Sequence, residues 1–358
     1  MAASMSSVSR KDWIILVAAT VATVVAGLAH GRTSEIVSFI LAALALSLLA
    51  VVVGEATEHL GSRLSPGATG VLHSALGNLP ELMVCIFSLR AGLVDVVKGA
   101  LIGSILANSV LVLGLAIMAG GLKHGLLKFR TEPPRMMAVL MLLACTALAV
   151  PTLADSIHTP ASAHEEPLSL VCSIVLLVVY FCSLKFFISG DKEVTPAPDP
   201  EEQHASWPLW FAITVLAIAG VGSGLVSDWF VEALKPATAA MGLSEAFTGL
   251  VVVAIAGNAI ENLVGIQLAM KNKPELAISV ILNSSLQIAL MLIPILVIAS
   301  FFIASTPLTL VLPPMLLAVM LFSAIVPAFV VFDGEAIWLE GAALIGLYVL
   351  FAAAFWWG

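Results

Sequence analysis

Gly-Asn-x-x-Glu occurs twice in this chain, as GNLPE from Gly77 and as GNAIE from Gly257, each inside a long apolar run. The copies stand 180 residues apart. A carboxylate at the centre of a helix in lipid costs roughly 2.5–3.5 kcal/mol, so it normally faces a polar cavity or a partner. The apolar centres of the surrounding segments carry no Lys or Arg that would pair with Glu81 or Glu261. The missing positive partner is most simply a bound cation or a proton. Asn and Glu at i and i+3 share one helical face. Asn78 with Glu81, and Asn258 with Glu261, can therefore address one ion. Gly77 and Gly257, one position earlier, permit close helix approach or local unwinding that exposes carbonyl oxygens. Pro80 removes an N–H and frees a carbonyl one turn earlier.

Such a site is hard and oxygen-rich. It suits Ca²⁺, which accepts six to eight oxygens in flexible geometry, better than Mg²⁺, which demands a tight octahedron. A soft metal would want Cys, which the site lacks. One divalent ion or two protons can neutralise the two glutamates, but not both together, and that competition is exchange chemistry. The segments that follow each motif add neutral donors: Ser104 and Asn108 in GSILANS, Ser284 and Gln287 in NSSLQ. These read as ligands, ligand supports or interhelical hydrogen bonds. His73, two turns before Glu81, suits a structural hydrogen bond or a proton relay. Glu55 and Glu58 in GEATEHL, and Glu232 further on, suit solvated helix ends or a gate and cation entrance.

The elements that must hold these residues are membrane spans. The chain has 358 residues, 60% hydrophobic and 11% charged, where a soluble domain carries about 25% charged residues. Hydropathy and punctuation predict an all-α polytopic membrane protein of about eleven spans, near 12–30, 36–54, 69–90, 95–119, 135–153, 169–189, 207–226, 243–270, 275–302, 307–331 and 337–357. The first is read as a retained helix rather than a signal peptide. Arg10, Lys11, Arg63, Lys123, Lys128, Arg130, Arg135, Lys185, Lys192, Lys271 and Lys273 fall on one side. Arg32, Arg90, Lys98 and Lys235 fall on the other, which places the N-terminus in the cytoplasm and the C-terminus outside. The expected organisation is an N-terminal arm and first helix (1–35), a first five-helix repeat (36–189), an acidic cytoplasmic linker (190–206) and a second five-helix repeat (207–358). Five is odd, so the repeats enter the bilayer from opposite sides, and a substrate site is expected at their interface near the midplane.

Other classes fit less well. No basic, aromatic-interleaved patch speaks for nucleic acid, and neither H-E-x-x-H nor G-x-S-x-G speaks for an enzyme. Cys85, Cys145, Cys172 and Cys182 lie in apolar segments without C-x-x-C spacing and read as packing residues. Trp356 and Trp357 fit an interfacial anchor. A prokaryotic inner membrane is the expected location, with lipid, Ca²⁺ and protons as the partners and no cofactor; oligomeric state stays open.

The stretches GATGVLHSALGNLPELMVCIFSLRAGLVDVVKGALIGSILANSVLVLG and GLSEAFTGLVVVAIAGNAIENLVGIQLAMKNKPELAISVILNSSLQIAL resemble the two signature repeats of the Ca²⁺/proton exchangers, within the Ca²⁺/cation antiporter superfamily. The resemblance runs from about residue 50 to near the end. It implies that Glu81 and Glu261 alternately bind Ca²⁺ and protons, supported by Asn78, Asn258, Ser104, Asn108, Ser284 and Gln287. It also implies alternating access by movement of spans two and seven against the rest. Asn262 stands where members usually have His, Asn283 where they commonly have Gly, and His73 where Asn is usual. Exchange coupled to Na⁺, or of a monovalent cation for protons, is the alternative within the same superfamily.

Overall fold

The computed structural model describes residues 8–63, 76–188, 207–257 and 259–356, without the side chains of 186–188 and 259–262. Among the described residues, eight helices are long and apolar enough to cross a membrane, and the shorter apolar stretches Glu245–Gly257 and Pro314–Val330 accompany them. His73, Asn258, Trp357 and the acidic linker lie outside the described residues, as do the side chains of Glu261 and Asn262.

The chain begins with α1 (Arg10–Ala29) and α2 (Glu35–Gly61). Ser9 and Asp12 cap α1 reciprocally: the Ser9 hydroxyl accepts from the Asp12 N–H and the Asp12 carboxylate from the Ser9 N–H. Next come α3 (Leu79–Arg90) and α4 (Val94–Leu106), which runs through a π turn at Ala107–Val112 into α5 (Leu113–His124). A two-residue strand, β1 (Leu127–Lys128), leads to α6 (Glu132–Ser156) and α7 (Glu165–Ile188).

The later part opens with α8 (Leu209–Met241) and a short turn α9 (Glu245–Phe247). A π turn at Thr248–Val253, α10 (Ala254–Gly257) and α11 (Ala259–Met270) follow. α12 (Pro274–Gln287) then passes through a π turn at Ile288–Leu292 into α13 (Ile293–Ile303). α14 (Pro314–Val330), β2 (Glu335–Ala336) and α15 (Trp338–Trp356) complete the fold. β1 and β2 pair antiparallel, Leu127 opposite Ala336. Beside them the Lys128 ammonium, hydrogen-bonded to Glu335, is held above its usual pKa, and Arg130 meets Glu275 at 2.8 Å.

Two apolar clusters divide the interior. One gathers α3 to α7, α9 and α11 to α15. The other gathers α1, α2 and α8, with Phe39 stacked on Phe230 at 4.9 Å between ring centroids, and touches the rest through residues such as Val84, Val96, Ala100 and Val253. Where α4 meets the Thr248–Val253 turn, backbone touches backbone. A Cβ at Gly103 would run into the Leu250 carbonyl, and one at Gly249 into the Val96 carbonyl. Only glycine lets α4 and the Thr248–Val253 turn approach so closely.

The charge-free run after α12 departs from expectation. The break expected at Ser305–Pro307 is a non-helical stretch from 304 to 313, and the following helix starts at Pro314 rather than 307. Leu308, Leu310 and Leu312 alternate into the core, a period-two pattern that hydropathy averaging hides. Side chains replace the ladder. Ser300, Ser169 and Thr152 hydroxyls accept from the N–H groups of Leu308, Leu310 and Leu312 at 2.8–2.9 Å. Thr152 also donates to the Leu310 carbonyl at 2.9 Å and Lys98 Nζ to the Val311 carbonyl at 2.6 Å. Irregular backbone beside apolar helices survives where protein satisfies it in this way.

Candidate functional site

Glu81 sits in the first turn of α3, behind Pro80, which is tolerated there because first-turn N–H groups lack helical acceptors anyway. Asn78 occupies the cap position, yet its side chain makes no cap bond. Its amide points instead to Gln287 at the end of α12, Nδ2 to Oε1 3.4 Å. Glu81 is 2% exposed, and its Oε1 accepts a short hydrogen bond from the Ser104 hydroxyl on α4. One turn on, Asn108 Nδ2 donates to Ser284 Oγ at 2.8 Å. Gly257 of the second motif lies against the first: a Cβ built on it would be 3.6 Å from the Glu81 Cβ. The backbone of the second motif therefore flanks the carboxylate of the first.

Six of the expected residues thus form one buried cluster. Asn78, Glu81, Ser104, Asn108, Ser284 and Gln287 are each at most 4% exposed. They converge from α3, α4 with its π turn, and α12. π turns recur at functional sites because the extra residue redirects side chains and loosens carbonyls from the helical ladder. Here one π turn holds Asn108 and another begins directly after Gln287. Chemically the cluster offers one carboxylate, hydroxyl oxygens and amide oxygens, all hard donors.

The residues named as possible gates lie elsewhere. Glu55 faces Lys11 at 3.3 Å near the end of α2, and Glu58 is exposed beside it. Glu232 on α8 is 3.2 Å from His30 and lines a cleft of about 450 Å³ with Leu93, Lys235 and Pro236. The sequence reading missed Ser47. Its hydroxyl, in the middle of α2, reaches the Ala256 carbonyl at 3.1 Å, immediately before the second motif. A lone hydroxyl amid the apolar run ILAALALSLLAVVV was the available signal. Cys85 and Cys145 are buried, Cys172 is half-buried and Cys182 is exposed, and all four are free thiols.

Residues 34–189 and 211–357 match the model of the sodium/calcium exchanger protein family. A Ca²⁺/H⁺ antiporter of Aphanothece halophytica is 34% identical, over 90% of each chain. One of Synechocystis is 33% identical, over 98% of each. The solved structure of native YfkE superposes with a TM-score of 0.81 at 31% identity, covering 97% of this chain and 99% of that one. The chain is a membrane protein that belongs to the sodium/calcium exchanger family.

Proposed function

We propose that the chain exchanges cytoplasmic Ca²⁺ for protons by alternating access, with Glu81 and Glu261 as the shared carriers near the middle of the bilayer. The observation that carries this reading is the buried Glu81 carboxylate, set among neutral oxygen donors and flanked by the backbone of the second motif at Gly257. Glu261 follows four residues after that glycine, on α11. Ca²⁺ would draw on both carboxylates, with Asn78, Asn258, Ser104, Asn108, Ser284 and Gln287 as further ligands or as supports. Burial disfavours two bare carboxylates side by side, so the site without Ca²⁺ takes up protons. Neither chemistry needs a cofactor.

The offset of 180 residues supports an inverted pair of five-helix repeats, residues 36–189 and 207–358, completing eleven spans with α1. It relates the motifs, and it also relates the π turn at Ala107–Val112 to that at Ile288–Leu292. The separate apolar cluster of α1, α2 and α8 supports a moving unit formed by the leading helices. Glu55 and Glu58 on one side and Glu232 on the other would then line the two approaches. The distribution of Lys and Arg supports a cytoplasmic N-terminus and an external C-terminus, and the cyanobacterial relatives support a prokaryotic plasma membrane.

Uptake of radioactive Ca²⁺ into proteoliposomes tests the reading. A pH gradient should drive it, a protonophore should abolish it, and Glu81→Gln and Glu261→Gln should each silence it. Uptake that follows a Na⁺ gradient and ignores pH would favour Na⁺ coupling instead. Normal exchange by either variant would make the repeated glutamates structural.

A further inference from the structure

A second convergence of ligating side chains shares no residue with the Glu81 cluster and lies at the end of α2 marked by Gly61, beside Ser9 and Trp207. Among the described residues, Asp12, Glu55 and His59 bring their ligand atoms within 4.8 Å of one another. Asp12 comes from the first turn of α1; Glu55 and His59 come from the last two turns of α2. Glu55 and His59, at i and i+4, share one helical face.

The arrangement is held from behind. Asp12 is 7% exposed, and one carboxylate oxygen accepts from the Ser9 N–H at 2.9 Å and from Trp207 Nε1 at 2.8 Å. The Trp207 ring stacks on the His59 imidazole at 4.4 Å between centroids, and its carbonyl accepts from Arg63 at 2.7 Å. Groups that fix the orientation of ligands in this way are what metal sites use to pre-form their geometry. Lys11 faces Glu55 at 3.3 Å, but its side chain is 76% exposed and can swing into solvent.

We propose that Asp12, Glu55 and His59 bind a divalent transition-metal ion of the zinc type, with Lys11 holding the place of the positive charge in the metal-free protein. One imidazole and two carboxylates form a Zn²⁺ donor set, and water can complete four-coordination. The imidazole separates this site from the oxygen-only cluster around Glu81. Rotamer adjustments of about 1 Å bring the three atoms to metal–ligand bonds of about 2.0–2.2 Å. The bound ion fastens α1 to α2 and, through Trp207, to the approach to α8. These are the helices of the separate apolar cluster.

The test is a Zn²⁺ titration of the purified full-length chain in detergent, with a chromogenic chelator as competitor. His59→Gln and Asp12→Asn should each weaken the site about tenfold or more. Lys11→Ala should tighten it several-fold by removing the competing ammonium, which a purely structural role for the cluster does not foresee. Glu81→Gln combined with Glu261→Gln should leave it in place. Asp12→Asn keeps the side chain's size and an acceptor for Trp207, so it tests the ligand even if His59→Gln fails to fold. The proposal falls if the wild type binds no Zn²⁺ or if folded His59→Gln and Asp12→Asn bind it as well as the wild type. It falls equally if binding disappears only with the two glutamine substitutions, which would place the ion in the transport site.

Discussion

At the scale of the residue, the proposed exchange turns on what surrounds one carboxylate. Ser104 donates directly to Glu81, and a hydrogen bond to a charged group contributes about 1.5–3 kcal/mol. Ser104→Ala should therefore raise the Ca²⁺ concentration for half-maximal uptake about tenfold or more, with little loss of folded protein; transport kinetics beside a thermal melt separate the two. The neighbouring glycines predict opposite outcomes. A methyl at Gly257 meets the Glu81 Cβ at ordinary contact distance, so Gly257→Ala should fold and impair transport. A methyl at Gly103 strikes a backbone carbonyl, so Gly103→Ala should lower yield and stability, by about 1–3 kcal/mol or more. Much of this cluster was legible in the sequence, because a repeated Asn and Glu in apolar surroundings has few explanations. Ser47 was not, since nothing in its neighbours along the chain shows that α2 passes the Ala256 carbonyl.

At the scale of the element, hydropathy located the apolar stretches and misjudged where backbone stays helical. The segment 304–313 is as apolar as a helix and carries no charge, so composition alone could not exclude a span. Its alternation of buried leucines and its prolines at 307 and 313 were the local signs; the hydroxyls that satisfy it come from α6, α7 and α13. Thr152 is the keystone, serving the Leu312 N–H and the Leu310 carbonyl together. Thr152→Val keeps the shape and removes both bonds, leaving buried groups that each cost about 1–3 kcal/mol. The expected result is a melting temperature in detergent several degrees below wild type, while Thr146→Val, an exposed position on the same helix, should change little. The π turns were invisible beforehand for a related reason: an extra residue in a helical turn leaves no trace in apolar periodicity.

At the scale of the whole molecule, the division into two apolar clusters would give the proposed alternating access a physical basis. α1, α2 and α8 pack chiefly on one another, while α3 and α4, which carry Glu81 and Ser104, contribute residues to both clusters. In the proposed mechanism these three helices would shift against the remaining helices and expose Glu81 and Glu261 first to one side and then to the other. The central claim beneath that motion is that Ca²⁺ and protons exclude each other at Glu81 and Glu261. The most direct measurement is proton release when Ca²⁺ is added to the purified protein in weakly buffered detergent solution, followed between about pH 6 and 8. The account predicts release that grows as pH falls across this range while Ca²⁺ affinity weakens, and marked loss of it in Glu81→Gln. Saturating Ca²⁺ binding with no proton released at any pH in the range would contradict it.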